Sequence, residues 1–289
     1  MDAACQSGAL FAGLILRSMS RVSPASHGRS TRVEQRTRWP DRLLLVRHGE
    51  SAGNVARDAA HAAGQARIDI AGRDADVPLS ERGKVQSAAL GRWLAQRAAA
   101  ERPEVLLCSP YRRARETAQL IRAAHGLTAA APADVVDERL REREFGILDR
   151  LTAAGIAQLF PEQAEFRRRL GKFYHRPPGG ESWCDVILRL RSFMDTLSLH
   201  YPGRRLLVVT HEVVVLCLRY LIEELDEARI LQIDAQGDVA NCAITEYAYL
   251  RRDAASEGSL QLLRFNQTAP LERQGVPVTS APDAPVAAR

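Results

Sequence analysis

The apolar run Leu43-Leu44-Leu45-Val46 ends on Arg47-His48-Gly49, and no other stretch constrains the fold as tightly. Four consecutive aliphatic residues read as a buried strand. The glycine that follows lets the chain turn sharply where the strand stops. An imidazole and a guanidinium are thus delivered together to the carboxyl end of a strand, where open α/β sheets bind ligands. An imidazole nitrogen can attack phosphorus, and a guanidinium can hold phosphate oxygens in a fork.

The pattern recurs along the chain. Short apolar runs at 105–108 and 206–209 read as two more buried strands, with a brief one at Val135-Val136. Between them lie helical periodicities. Ser80 can cap a helix over 81–97 whose inner face carries Val85, Ala89, Leu90, Trp93 and Leu94. A second helix spans 112–125 and stops at Gly126. Segments 151–159 and 163–173 also read as helical. Ser182 caps the clearest helix, with Trp183, Val186, Ile187, Leu190, Phe193, Met194 and Leu197 as its stripe. Residues 212–222 form a core helix, and 243–249 with 260–265 form an edge hairpin. Residues 54–76, polar and punctuated by glycine, are long for a plain connection, which suggests a functional loop or some helix of its own.

Strands alternating with amphipathic helices predict an α/β fold: a three-layer sandwich with a mostly parallel central sheet flanked by helices. Arg47, His48, Arg113 and His211 each follow a strand or open the next helix, so all can gather at one sheet edge. The expected domain covers 41–265. Residues 1–40, rich in Ser and Arg, are expected to be a disordered extension, and 266–289 a flexible tail.

The chain of 289 residues carries a modest +5 net charge and no dense basic block, which argues against a nucleic-acid partner. The apolar stretch 9–16 is too short to span a bilayer and lacks the basic flank of a secretory signal; Met19 is an alternative start. No membrane association is expected. Five cysteines without a C-x-x-C pair suggest neither a disulfide framework nor a zinc site, and fit the cytoplasm.

Five ordered motifs carry a family resemblance. Leu43–Asn54 reads LLLVRHGESAGN; Leu79-Ser80-Glu81-Arg82-Gly83 opens a helix. Ser109-Pro110-Tyr111-Arg112-Arg113-Ala114 begins a third motif, Leu140-Arg141-Glu142 a fourth, and Val208-Val209-Thr210-His211 is the fifth. Together they resemble the histidine phosphatase superfamily, the phosphoglycerate-mutase-like proteins. The resemblance implies that fold and a metal-independent, cofactor-free phosphatase acting on a small phosphorylated metabolite. It implies His48 as the nucleophile, forming a phosphohistidine, with its other ring nitrogen fixed by a nearby backbone carbonyl. Arg47 and Arg113 would clamp the phosphoryl group, with His211 donating to it and Asn54 touching it. Arg112 is the rival of Arg113. Glu142 would be the general acid and base, with Glu144 its rival. Glu50 reads as an ion-pair partner and Ser51 as a helix cap.

Two departures from the family pattern stand out. Glu212 follows His211 where glycine is more usual; it would point away or touch a substrate cation. The stretch Gly146-Ile147-Leu148-Asp149-Arg150 replaces the common G-x-x-[EQ]-G. The arginines at 57, 67 and 73 either reach a second acidic group on the substrate or only solvate a loop. A mutase is the alternative reading, disfavoured because Arg73 stands where mutases carry Trp and the tail offers no Lys for a lid. A non-catalytic phosphoester-binding protein is the third. Substrate and oligomeric state are left open.

Overall fold

The computed structural model describes residues 37–126, 135–251 and 257–280. Six strands form one sheet: β1 (Arg42–Arg47), β2 (Val105–Cys108), β3 (Val135–Val136), β4 (Arg205–Thr210), β5 (Ile244–Leu250) and β6 (Ser259–Gln267), in the order β3-β2-β4-β1-β5-β6. The first four in that order are mutually parallel, and β5 and β6 add an antiparallel edge. The expected three-layer α/β sandwich is therefore present, with the hairpin where the alternating pattern placed it.

Strand side chains alternate between two cores, as the period-two geometry of a pleated sheet requires. Leu43, Leu45, Leu107 and Val208 face one side, where they meet α6 (Trp183–His200) and α7 (Glu212–Ile222). Leu44, Val46, Leu106 and Leu207 face the other, against α2 (Glu81–Gln96) and α3 (Arg112–His125). The register aligns Arg47 with Thr210 and Cys108 with Val209. His48, Ser109 and His211 consequently leave the sheet at one level.

Helix ends follow local chemistry. Ser51, Ser80 and Ser182 each accept a backbone N–H at a helix start, and Gly126 closes α3 in the left-handed region at φ 72°. The 54–76 segment begins as helix α1 (Ala52–Ala62). Beyond it, α4 (Ala153–Leu159) and α5 (Pro161–Tyr174) cover a small separate core of Leu148, Leu151 and Ile156. The chain also forms α8 (Glu227–Gln236) and the short α9 (Ala269–Glu272). No helix among the described residues is long and apolar enough to cross a membrane.

Three expectations are corrected. Val85 is 51% exposed rather than inward. Helix α2 instead turns Gly83 and Gly91 inward, where a Cβ would sit 1.9 Å from the Glu50 carbonyl oxygen and 2.6 Å from that of Ile121. Close backbone approach outweighs burial of one aliphatic side chain. Leu151 pairs with Arg67 in an isolated bridge, so the helix expected from 151 begins after the Thr152 cap. The tail expected to be loose from 266 is ordered through residue 280: Leu271 and Val276 are buried against α2, and Gln86 Nε2 donates to Pro277 O at 3.0 Å. At the other end, Trp39 packs on the core, while the extension expected to be disordered lies, through residue 36, outside the described residues.

Candidate active site

His48 emerges fully buried from the end of β1. Its Nδ1 lies 2.6 Å from the carbonyl oxygen of Gly49. A carbonyl can only accept, so Nδ1 carries the proton and Nε2 the lone pair. The Arg113 Nε–H points to that Nε2 at 3.2 Å. The His48 carbonyl is held in turn by Asn241 Nδ2 at 3.0 Å. His211, the residue ahead of α7, sets its ring 5.1 Å from that of His48, and its Nε2 lies 2.8 Å from Ser109 Oγ. His48, Arg113 and His211, three of the residues expected at this sheet edge, thus converge there with Ser109.

Both arginines of the expected clamp are held by partners within the fold. Arg47 is buried, donates through Nη1 to Val239 O at 2.5 Å, and lies 3.7 Å from the Glu212 carboxylate. Glu212 also accepts the Val239 N–H at 3.2 Å. Its side chain therefore points toward Arg47 rather than away, and seats it. Arg113 gives Nη1 and Nη2 to the two carboxylate oxygens of Asp74, both at 3.0 Å, and Nη1 also to the Asp74 carbonyl at 2.7 Å. Its Nε edge, not its fork, faces His48. Arg112 is on the surface, paired with Glu116 at 2.7 Å. Sequence reading missed Asp74, whose only signal was an acidic residue two positions after Gly72; acidic loop residues are too common for that to single it out.

Glu142 is 1% exposed, and its Oε1 accepts the Arg143 N–H at 2.7 Å. Its loop is tied to β4 where Thr210 Oγ1 donates to Leu140 O at 2.8 Å. Arg189 Nη2 donates to Glu142 O at 3.2 Å, and Glu181 takes Arg141, Arg189 and the Glu144 N–H. Glu144 is exposed and takes the Tyr111 hydroxyl at 2.6 Å. Burial, and then that bond, push the Tyr111 phenol well up, so it stays a donor. Behind the loop, burial first and then Arg143 and Arg167 pull His175 down to about 4, which keeps its imidazole neutral near pH 7.

Asn54 sits in the first turn of α1. Its Oδ1 accepts from the Ser51 N–H and hydroxyl, both at 2.9 Å, in a capping box. Asn54 lines a pocket beside Arg113 together with Arg57 and Asp74. Of the three loop arginines, only Arg57 is buried there; Arg67 and Arg73 are exposed. Glu50 and Ser51 take the structural roles read for them: Glu50 pairs with Arg82 at 3.0 Å, and Ser51 caps α1.

The family profile described as the histidine phosphatase superfamily, branch 1, matches residues 43–258. The chain belongs to this superfamily. A protein of Mycobacterium tuberculosis named as bifunctional is 32% identical over 271 residues, covering 93% of this chain and 64% of that protein. The chain thus spans less than two thirds of that relative. A probable phosphoglycerate mutase of Photorhabdus laumondii is 32% identical over 178 residues, 61% of this chain and 72% of the mutase. Among solved structures, a mycobacterial glucosyl-3-phosphoglycerate phosphatase with inorganic phosphate superposes with a TM-score of 0.58 at 25% identity. That match covers 80% of this chain and 99% of the phosphatase. Superfamily membership and fold agree with the motif reading.

Proposed function

We propose that this chain is a phosphomonoesterase that hydrolyses a small phosphorylated metabolite through a phosphohistidine on His48. One observation carries the reading: His48 is held as the Nδ1–H tautomer by Gly49 O at 2.6 Å, with Nε2 facing the Arg113 Nε–H. Nε2 attacks phosphorus as the ester oxygen departs. The Arg113 Nε–H passes from Nε2 to a phosphoryl oxygen. Arg47, His211 and the Asn54 amide neutralise or bind the remaining oxygens, where charge builds as the leaving bond stretches. Glu142 gives its proton to the departing alkoxide, then takes one from the water that cleaves the phosphohistidine. The Arg47 and Arg113 guanidinium groups supply the positive charge, and the scheme calls on no metal.

A mutase is disfavoured because Arg73, 80% exposed on its side chain, pairs outward with Asp76 where mutases carry Trp. The test is rapid quench with a labelled phosphoester. An acid-labile, base-stable adduct on His48 is expected, absent in His48→Ala. Label on Ser or Asp, or full turnover by His48→Ala, overturns the assignment. In single turnovers, Glu142→Gln should slow phosphoryl transfer from an alkyl phosphate far more than from nitrophenyl phosphate, whose phenolate hardly needs a proton.

A further inference from the structure

Arg113 faces the His48 lone pair, and its surroundings decide which edge it turns there. A guanidinium can meet a phosphoryl group with the fork of Nη1 and Nη2 or with its Nε side. The fork is already filled. Nη1 and Nη2 each donate to one Asp74 carboxylate oxygen at 3.0 Å, and Nη1 donates also to the Asp74 carbonyl at 2.7 Å. Nε is the edge turned toward His48 Nε2, at 3.2 Å. The Tyr111 ring bounds one face of the guanidinium at 5.1 Å.

Asp74 can hold this edge because its own backbone is fixed. It opens the 3-10 turn Asp74–Asp76, and its carbonyl also accepts the Val77 N–H at 3.2 Å. Val77 and Leu79, which follow, are buried. The Leu79 N–H donates to Glu116 Oε2 at 2.8 Å, so the segment is tied to α3, the helix that carries Arg113. Pro78 O accepts the Ala52 N–H at 2.9 Å, which ties it to α1 as well. The Asp74 side chain is 36% exposed against 2% for Arg113, so solvent partly screens its charge.

This grip acts in two opposite directions. A long arginine side chain loses much rotamer freedom when it is fixed. The carboxylate fixes it before the phosphoryl group arrives, so Nε is already aimed where charge gathers in the transition state. The same carboxylate competes with phosphate for the fork and offsets its positive charge, which weakens the hold on phosphate in the ground state. Interaction withheld from the ground state and kept for the transition state raises the rate.

We infer that Asp74 is the positioning residue for Arg113: it aims Nε at the reacting phosphoryl group and withholds the fork from bound phosphate. The inference rests on the hydrolase reading, which places that group at His48. Single-turnover phosphoryl transfer from nitrophenyl phosphate and calorimetry with inorganic phosphate test it in Asp74→Ala and Asp74→Asn. Transfer should slow about tenfold or more, within the loss caused by misplacing a group at the reacting centre. Phosphate should bind about threefold or more tighter, the scale of releasing one partly exposed ion pair. That gain should vanish when Arg113→Ala is added. A variant that only loosened the fold would slow transfer and weaken phosphate binding together, and that outcome overturns the inference. Native-rate transfer in both variants, unchanged phosphate affinity, or a gain that survives Arg113→Ala overturns it too. If the native chain turns over no phosphoester, the hydrolase reading fails instead, and the Arg113-dependent gain in phosphate affinity decides the role of Asp74 by itself.

Discussion

At the scale of single residues, the site contrasts two neighbouring arginines. Arg113 is 2% exposed and points at the His48 lone pair; Arg112 lies outside and pairs with Glu116. Arg113→Ala should lower kcat by on the order of a hundredfold or more, the scale of removing one transition-state donor. Arg112→Ala should stay within a few-fold, and steady-state kinetics on any turned-over ester compare them. His175 makes a different prediction. Its folded pKa lies near 4, below the ordinary 6.5, so the unfolded chain binds the extra proton first. Stability from His175 is then full above about pH 6.5 and is lost as pH falls toward 4. Urea midpoints at pH 7 and pH 5 should differ less in His175→Gln than in the native chain; an unchanged pH slope would show that His175 does not titrate this way.

At the scale of elements, helix α1 links stability to the site. Its capping box uses the Asn54 amide oxygen to bind Ser51, and Asn54 also lines the pocket beside Arg113. Ser51→Ala should cost about 1 kcal/mol, the usual loss of a helix cap. It should also raise KM, because Asn54 loses the partner that orients it. A stability loss with KM unchanged would restrict Asn54 to capping. Helix α2 works by contact instead. Gly83 lets its first turn lie against the Glu50 backbone, directly beyond His48 and Gly49. The apolar periodicity placed this helix and its inner face at Ala89, Leu90 and Leu94 but misplaced Val85, since glycines contribute no hydrophobic signal.

At the scale of the whole molecule, the C-terminal segment is part of the scaffold around His48. Leu271 is fully buried, and Thr279 Oγ1 donates to Asn241 Oδ1 at 2.9 Å while Asn241 Nδ2 holds the His48 carbonyl. Gln86 joins the same set: its Oε1 takes the Glu50 N–H, and its Nε2 donates to Thr279 Oγ1. Leu271→Ala should cost roughly 2–4 kcal/mol in chemical denaturation. Thr279→Val should lower kcat with little loss of stability, because it frees Asn241 without opening a cavity. If its kcat is native, Asn241 holds His48 without help from the tail.

Strands, helix starts and the convergence of His48, Arg113 and His211 were legible in the sequence because each rests on local chemistry. A Leu-Val run buries itself, a serine caps the helix beside it, and His48 is fixed by the carbonyl of the very next residue. The motif spacing also separated Arg113 from Arg112, since one helical step moves a side chain from the pocket to solvent. What the tertiary structure alone decided were partnerships between residues distant in sequence. Asp74 reaches Arg113 across 39 positions, and Asn241 reaches His48 across 193. Glu212 turned out to seat Arg47, and a Pro- and Ala-rich tail to pack on α2. No local pattern encodes these pairings. They arise because parallel strands bring distant segments to one edge, where each buried charge and backbone carbonyl must find its partner among whatever the fold has placed there.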